Sequence, residues 1–341
     1  MRARWIERWD GPLERGERPE PRAGAREVKI AVEACGIGLT VLNCIRGDLG
    51  NDPDDLPRVP GHELVGRIVE TGIGVDSDRV GERVAGYFYL FCGGCERCLA
   101  GDESLCLDLR GFIGVDVDGG YAERVSLPAG NAVPLRDEID PVAATAIPDA
   151  IATPVHVARR ASVGPGDRVA VIAAGGGVGI HMSQVARAYG ATVVGLEIDG
   201  AKHAYLRDEL GLDVIDSSDF ARAELPRSWR GEADVVVDLL GSESSLEWAQ
   251  AALAPRGRMV VLTTFRGVGF RASPRTLVFK QGSILGSRYA SRHEVLEAAR
   301  LVHAGAVRPI VSEQVGPDDV DGVHDALRRG EVLGRGVLSW G

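Results

Sequence analysis

The sequence has no apolar run that approaches the ~20 residues needed for a membrane-spanning helix. Its opening stretch, MRARWIERWDGPLERGERPEPR, lacks the apolar core of a secretory signal peptide. Basic side chains are outnumbered as well, and a net charge of −10 opposes binding to nucleic acid or to an anionic membrane. We therefore expect a cytoplasmic protein whose main partner is neither nucleic acid nor a membrane.

Cysteine is also scarce, with six residues in 341, and in the cytoplasm these are thiols or metal ligands before they are disulfides. Four of them follow the spacing C-x2-C-x2-C-x7-C in one polar loop, namely Cys92, Cys95, Cys98 and Cys106. Four thiolates this close provide the closed tetrahedral set that a structural zinc ion requires. An iron–sulfur cluster is the alternative, since it also takes tetrahedral sulfur ligands. We predict one structural zinc ion per chain.

Residues 167–199 follow the pattern strand, glycine turn, helix, strand, which is typical of a right-handed βαβ unit. A glycine turn at a helix N-terminus can bind a pyrophosphate, and an acid after the second strand can accept hydrogen bonds from a ribose. The predicted cofactor residues here are Gly176, Gly177, Val178, Gly179 and Glu197. Ala174 takes the place of the first glycine of G-x-G-x-x-G. An ordinary tight turn is the alternative.

The pattern of apolar residues before residue 148 differs from the pattern after it. Before it, short alternating runs at 28–34, 65–70 and 121–125 are separated by Gly and Pro, which favours a small β-rich, barrel-like domain. After it, strand and helix patterns alternate, which predicts a doubly wound parallel sheet. The last residues are too few for a domain of their own. We predict an α/β chain with a β-rich domain at 1–148, a returning segment at 287–341 and a Rossmann domain at 149–286.

The triplet Gly61-His62-Glu63 precedes the strand predicted at 65–70. A histidine beside a carboxylate can be a metal ligand with an acidic neighbour, or an acid–base pair. A surface histidine in a turn is the alternative.

These landmarks in this order resemble the zinc-containing medium-chain alcohol dehydrogenase family over essentially the whole chain. The resemblance rests on residues 34–37, 61–63, the four-cysteine loop, Thr153, the 176–179 turn, Glu197 and the closing Gly334-Arg335. It implies a chaperonin-10-like catalytic domain beside the Rossmann domain, hydride transfer between NAD(P) and an alcohol or carbonyl compound, and a homodimer or homotetramer. Lys202 and Arg335 join the predicted cofactor residues. NAD is expected over NADP, since Glu197 would repel a 2′-phosphate.

The chain departs from the family where a catalytic zinc ion is expected. The family's cysteine ligand matches Gly38, its histidine matches His62, and its third ligand matches Asp149. An open catalytic zinc site has three protein ligands. His62 and Asp149, even with Glu63, would bind zinc weakly, and we therefore expect no tightly held catalytic zinc.

The family's proton relay also changes, because its two ends match Thr40 and Asn43, and the amide of Asn43 cannot titrate. We predict that Thr40 donates to a substrate oxygen and that His62 is a general acid oriented by Asp149 or Glu63. Loop capping is the alternative for Thr40 and Asn43.

Three functions are compatible with these residues. They are alcohol–carbonyl redox, zinc-independent reduction of an activated C=C or iminium bond, and non-catalytic cofactor binding. The intact glycine turn, Glu197 and Thr40 oppose the third. In the family the positions matching residues 87–89, Tyr-Phe-Tyr here, line the pocket. We therefore expect a small-molecule substrate with an apolar portion.

Overall fold

The structure, a computed structural model, describes residues 1–263 and 268–340. Residues 264–267, which belong to the predicted Rossmann domain, and Gly341 are therefore not described. The chain divides into two compact units. Unit 1 contains Met1–Ala152, Ala290–Gly305 and Pro309–Gly341, and unit 2 contains Thr153–Tyr289 and Ala306–Arg308. Among the described residues, no helix is both long enough and apolar enough to cross a bilayer.

The strands are β1 Arg2–Ile6, β2 Leu13–Glu17, β3 Glu27–Ile37, β4 Glu63–Thr71, β5 Arg83–Gly86, β6 Arg124–Pro128, β7 Ala132–Pro134, β8 Arg168–Ile172, β9 Thr192–Glu197, β10 Asp213–Asp216, β11 Ala233–Asp238, β12 Leu253–Val261, β13 Ser283–Gly286, β14 Val311–Val315 and β15 Arg335–Ser339. The helices are α1 Leu39–Arg46, α2 Glu96–Leu99, α3 Pro141–Ala144, α4 Ala152–Arg160, α5 Gly177–Ala188, α6 Gly200–Asp208, α7 Glu243–Ala251, α8 Pro274–Lys280, α9 Arg292–His303 and α10 Val320–Arg328.

Unit 1 is built on a sheet in the order β14-β15-β3-β4-β5-β7, with β6 also paired to β3. The apolar residues of β3 alternate as the sequence predicts, and Val28, Ile30 and Val32 face the core of this unit. The strand expected at 121–125 begins only at Arg124, because Ala122 makes an isolated bridge to Ala3 instead. The β-rich character of this domain is confirmed.

The chain returns to unit 1 at its C-terminal end. Strand β15 pairs antiparallel with β3, placing Gly336 opposite Ile37, and β14 pairs parallel with β15. Because β15 lies next to β3, and β4 lies on the other side of β3, residues from the two ends of the sequence meet in one sheet.

Unit 2 is a six-stranded parallel sheet in the order β10-β9-β8-β11-β12-β13. Strand order reverses between β8 and β11, with successive strands running outward on both sides. This is the doubly wound arrangement that the alternating strand and helix patterns predict. Its central strands β8 and β11 are buried apolar runs, as strands covered on both faces must be.

Candidate active site

The glycine turn of unit 2 connects β8 to α5, and Gly176 is the N-cap of that helix. Gly179 is required by close packing, since a Cβ there would lie 2.1 Å from the carbonyl oxygen of Ala173. Ala174, which replaces the first motif glycine, is fully buried, and its methyl group fits because Gly195 of β9 has no side chain. The first turn of α5 therefore keeps the close backbone geometry that can cradle a phosphate.

Glu197 lies at the end of β9 beside this turn. Its Oε2 accepts a hydrogen bond from the N–H of Gly175 at 2.8 Å, and its Oε1 accepts from Ile198 at 2.9 Å and Asp199 at 3.3 Å. The aliphatic part of Lys202 packs over the same glycine. The structure thus brings the predicted turn, acid and lysine together at the carboxyl ends of β8 and β9, where open parallel sheets bind ligands.

The four loop cysteines lie together in unit 1. Sγ distances are 3.5 Å for Cys95–Cys98 and 3.9 Å for both Cys92–Cys98 and Cys95–Cys106. A tetrahedral zinc site with Zn–S bonds of about 2.3 Å places its sulfurs roughly 3.8 Å apart. Hydrogen bonds from the N–H groups of Cys98 and Leu107 lower the pKa of Cys95 to about 6, which favours the thiolate. These residues fit a zinc ion.

The other two cysteines are core thiols. Cys35 is completely buried, and burial raises its pKa well above the ordinary value. Cys44 is buried too, its S–H donates to the carbonyl of Gly114 at 3.1 Å, and burial raises its pKa to about 12. Neither thiol belongs to a group of side chains that could hold a metal ion among the described residues.

His62 is 3% exposed and directly precedes β4, so it is not a surface histidine. Gly61 before it has φ +98°, and a Cβ there would lie 2.5 Å from the ring of Tyr121. The glycine of the triplet is therefore required by backbone conformation and by space. It allows the chain to turn so that His62 and Glu63 both enter the interior.

Four side chains of unit 1 form a buried charge cluster, which we define as His62, Glu63, Asp149 and Arg335. Nε2 of His62 and Oδ2 of Asp149 are 3.0 Å apart. Nη2 of Arg335 donates to Oε1 of Glu63 and lies 4.0 Å from Oδ2 of Asp149. Asp149 stands on one π-helical turn, Ile147–Ile151, a distortion often found at functional sites. The Asp149 carboxylate thus lies between the imidazole and the guanidinium.

Burial governs the electrostatics of this cluster. It raises the pKa of Glu63, with Asp149 adding to the effect, while the charge of Arg335 opposes it. Burial also disfavours the charge of Arg335, but Glu63 and Asp149 outweigh burial and leave the pKa of the guanidinium raised. Arg335 is therefore a permanent cation held by two carboxylates.

A catalytic zinc ion does not fit this donor set. One ligand atom each from His62, Glu63 and Asp149 lies within 4.8 Å of the others. However, Gly38 offers no ligand atom, and His62 Nε2 is already bonded to Asp149. The pairing of Glu63 Oε1 with Arg335 leaves one unshared carboxylate oxygen, Oε2, which is packed against Gly36 and has no hydrogen-bond partner among the described residues.

The remaining predicted residues are placed as follows. Thr40 is half-buried in the first turn of α1, and among the described contacts its hydroxyl makes no hydrogen bond to the charge cluster. Asn43 lies within α1, and its Oδ1 accepts a hydrogen bond from the side chain of Arg46 at 2.5 Å, which caps neither end of the helix. Of the three aromatic residues, Phe88 packs against His62, with ring centroids 4.3 Å apart and the rings tilted by 39°. Tyr87 is fully buried and donates to the carbonyl of Ala290.

The pairing of Arg335 with Glu63 was not predicted from the sequence. The residue was expected at the cofactor, and that role stays a prediction, because here its guanidinium donates to Glu63. A signal was present in the sequence, since Gly38 removes a side chain from a position at which the family has one.

Two families match the chain. They are the alcohol dehydrogenase GroES-like domain at residues 24–137 and the zinc-binding dehydrogenase at residues 177–304. An alcohol dehydrogenase of Geobacillus stearothermophilus is 33% identical over 99% of this chain and 98% of its own length. An NAD-dependent alcohol dehydrogenase of Sulfurisphaera tokodaii is 30% identical over 99% of each.

A solved structure, the cobalt- and zinc-bound thermostable alcohol dehydrogenase from Pyrobaculum aerophilum, superposes with a TM-score of 0.89 at 30% identity over 99% of each chain. Together these matches define a two-domain dehydrogenase with a GroES-like and a Rossmann-like part. The chain belongs to the zinc-containing medium-chain alcohol dehydrogenase family. The predicted family and fold class are confirmed, and the match to a zinc-binding family favours zinc over an iron–sulfur cluster in the cysteine loop.

Proposed function

We propose that this chain transfers a hydride between NAD(H) and an alcohol or its carbonyl product without a catalytic zinc ion. One observation carries the proposal. The cofactor turn with Glu197 is intact, while the charge cluster holds a His62–Asp149 pair at 3.0 Å where the family has metal ligands. The names of the relatives favour alcohols and carbonyl compounds over a C=C or iminium bond, and over a non-catalytic role.

Each part of the site has a proposed role in catalysis. When bound, NAD would supply or accept the hydride at its nicotinamide ring. The N-terminal turn of α5, Gly176–Gly179, would face the pyrophosphate, and Glu197 would accept a ribose hydroxyl. Nε2 of His62 and Oδ2 of Asp149 can hold one proton between them. In reduction this proton would pass to the carbonyl oxygen, and in oxidation the pair would take it back.

Thr40 and Phe88 complete the proposed substrate site. Thr40, at the N-terminal turn of α1, would donate a hydrogen bond to the substrate oxygen. Phe88 is half-buried against His62 and would provide an apolar surface beside the reacting carbon. We infer a small substrate with an apolar portion. The homodimer or homotetramer and the cytoplasmic location stay predictions.

Protein stripped of loosely held metal by a chelator should still oxidise NADH in the presence of ketones or aldehydes, because no proposed step uses a second metal. The measurement is NADH absorbance with carbonyl compounds, enones and cyclic imines as parallel substrates, before and after chelation. Loss of turnover that added Zn²⁺ restores would contradict the metal-free part of the proposal. Turnover confined to enones or imines would contradict the alcohol–carbonyl part.

NADH should bind more tightly than NADPH, since Glu197 would repel a 2′-phosphate. Replacing Glu197 with glutamine removes that charge, and we expect the ratio of the two dissociation constants to narrow by about tenfold, or ~1.4 kcal/mol. Fluorescence titration of both cofactors measures the ratio, with Glu243→Gln on the exposed start of α7 as control. Tighter binding of NADPH by the unaltered chain would overturn the preference.

A further inference from the structure

Arg335 fills the space that the missing cysteine ligand leaves. Gly38 is buried at the N-cap of α1, and a Cβ on it would lie 2.8 Å from Nη1 of Arg335, 3.0 Å from Cζ and 3.1 Å from Nη2. The 2.8 Å contact is shorter than real Cβ atoms make, so a side chain at Gly38 would require the guanidinium to shift. The guanidinium is therefore packed on the bare backbone of Gly38.

The two carboxylates that interact with Arg335 are the same groups that would have to bind a metal ion. Its Nη2 donates to Glu63 and lies 4.0 Å from Oδ2 of Asp149. Arg335 is 7% exposed and Glu63 is completely buried, so water screens neither group well. A divalent ion bound by these carboxylates would have to displace the guanidinium, or remain beside a like charge in a poorly screened interior.

We propose that Arg335 is the resident cation of this site and stands in place of a catalytic metal ion. It balances Glu63, holds Asp149 through its charge and so sets the orientation in which Asp149 meets His62. Arg335 acts through these neighbours and is a positioning residue. The proposal deepens the proposed function and rests on it, because it names what replaces the metal there.

Removing the charge of Arg335 should make the cluster a metal site. In Arg335→Gln, the carboxylates of Glu63 and Asp149 and the imidazole of His62 would be released from the cation, and these are three ligands of the types that zinc accepts. After incubation with excess Zn²⁺ and gel filtration, elemental analysis should find one zinc per chain in the unaltered protein and two in Arg335→Gln. Adding His62→Ala to Arg335→Gln should return the count to one.

Two controls separate charge from structure. Arg335→Lys keeps the cation and should hold one zinc. Arg83→Gln also removes a buried arginine of unit 1 from a carboxylate, here Glu33, and should likewise hold one. The kcat of Arg335→Gln, measured without added metal, should fall about 10-fold or more, with partial recovery in Arg335→Lys.

Two zinc ions in the unaltered chain would overturn the proposal, and that measurement needs no variant to fold. A count of one in a folded Arg335→Gln would overturn it as well, since the guanidinium would then not be what excludes the metal. Neither count depends on turnover. If the chain gave these zinc counts but were inactive, the proposed function would be contradicted, and the proposal that Arg335 takes the place of the metal ion would not.

Discussion

Replacing His62 with alanine should lower kcat by about 10²–10³-fold and leave the dissociation constant of NADH nearly unchanged. In the proposed mechanism the His62–Asp149 pair gives up and takes back the proton, and His62 lies in unit 1, whereas the glycine turn lies in unit 2. Thr40→Ala should lower kcat in the same range if its hydroxyl donates to the substrate oxygen in the transition state. Steady-state kinetics and cofactor titration measure both quantities.

The matched control is His303→Ala, which removes an exposed histidine from α9 of the same unit. It should change neither kcat nor NADH affinity. Asp149→Asn retains a hydrogen-bonding side chain next to His62 but loses the charge. Its kcat should lie between that of His62→Ala and that of the unaltered chain. Unchanged kcat in His62→Ala would show that proton transfer uses another group.

Replacing Cys95 with serine should release the loop zinc and lower the melting temperature by roughly 10 °C or more. Structural zinc contributes directly to folding, with apparent binding free energies of ~10–16 kcal/mol in small zinc domains, comparable to the whole stability of a typical protein. In this loop the cysteine sulfurs contact one another and backbone N–H groups, and helix α2, which contains Cys98, has only four residues. Calorimetry and zinc analysis of the same sample measure the effect.

Cys44→Ser makes the same atomic exchange away from the loop. The serine hydroxyl can still donate to the carbonyl of Gly114, so we expect one zinc per chain and a smaller loss of stability. If Cys95→Ser kept its zinc, or lost it without a change in melting temperature, the loop would not be a structural metal site.

Features set by neighbouring residues could be predicted from the sequence. The glycine turn, α5 and β9 form within about 30 residues of one another, so hydrophobic periodicity and glycine placement specify them locally. The cysteine loop is equally local, because its spacing alone brings four sulfurs together. The capping box that starts α9, Ser291 with Glu294, is another feature that neighbouring residues specify.

Features set by distant residues could not be predicted in the same way. The pairing of Glu63 with Arg335 depends on β4 and β15 lying on either side of β3, a consequence of sheet order and not of any local pattern. Similarly, an aromatic run at 87–89 gives no sign of which ring faces His62, since these residues follow β5 and their orientation depends on packing. Phe88 packs against the imidazole, while Tyr87 is fully buried in the interior.

The late position of β15 in the sequence also bears on how the protein is synthesised. Glu63 and Arg335 are 272 residues apart, so a ribosome makes one partner long before the other. At synthesis rates of about 5–20 residues per second, the wait is roughly 14–54 seconds. During that interval the edge of β3 that receives β15 is unpaired, and Glu63 lacks its ion-pair partner Arg335. Folding of unit 1 is therefore expected to finish last, after the intervening cofactor unit has emerged.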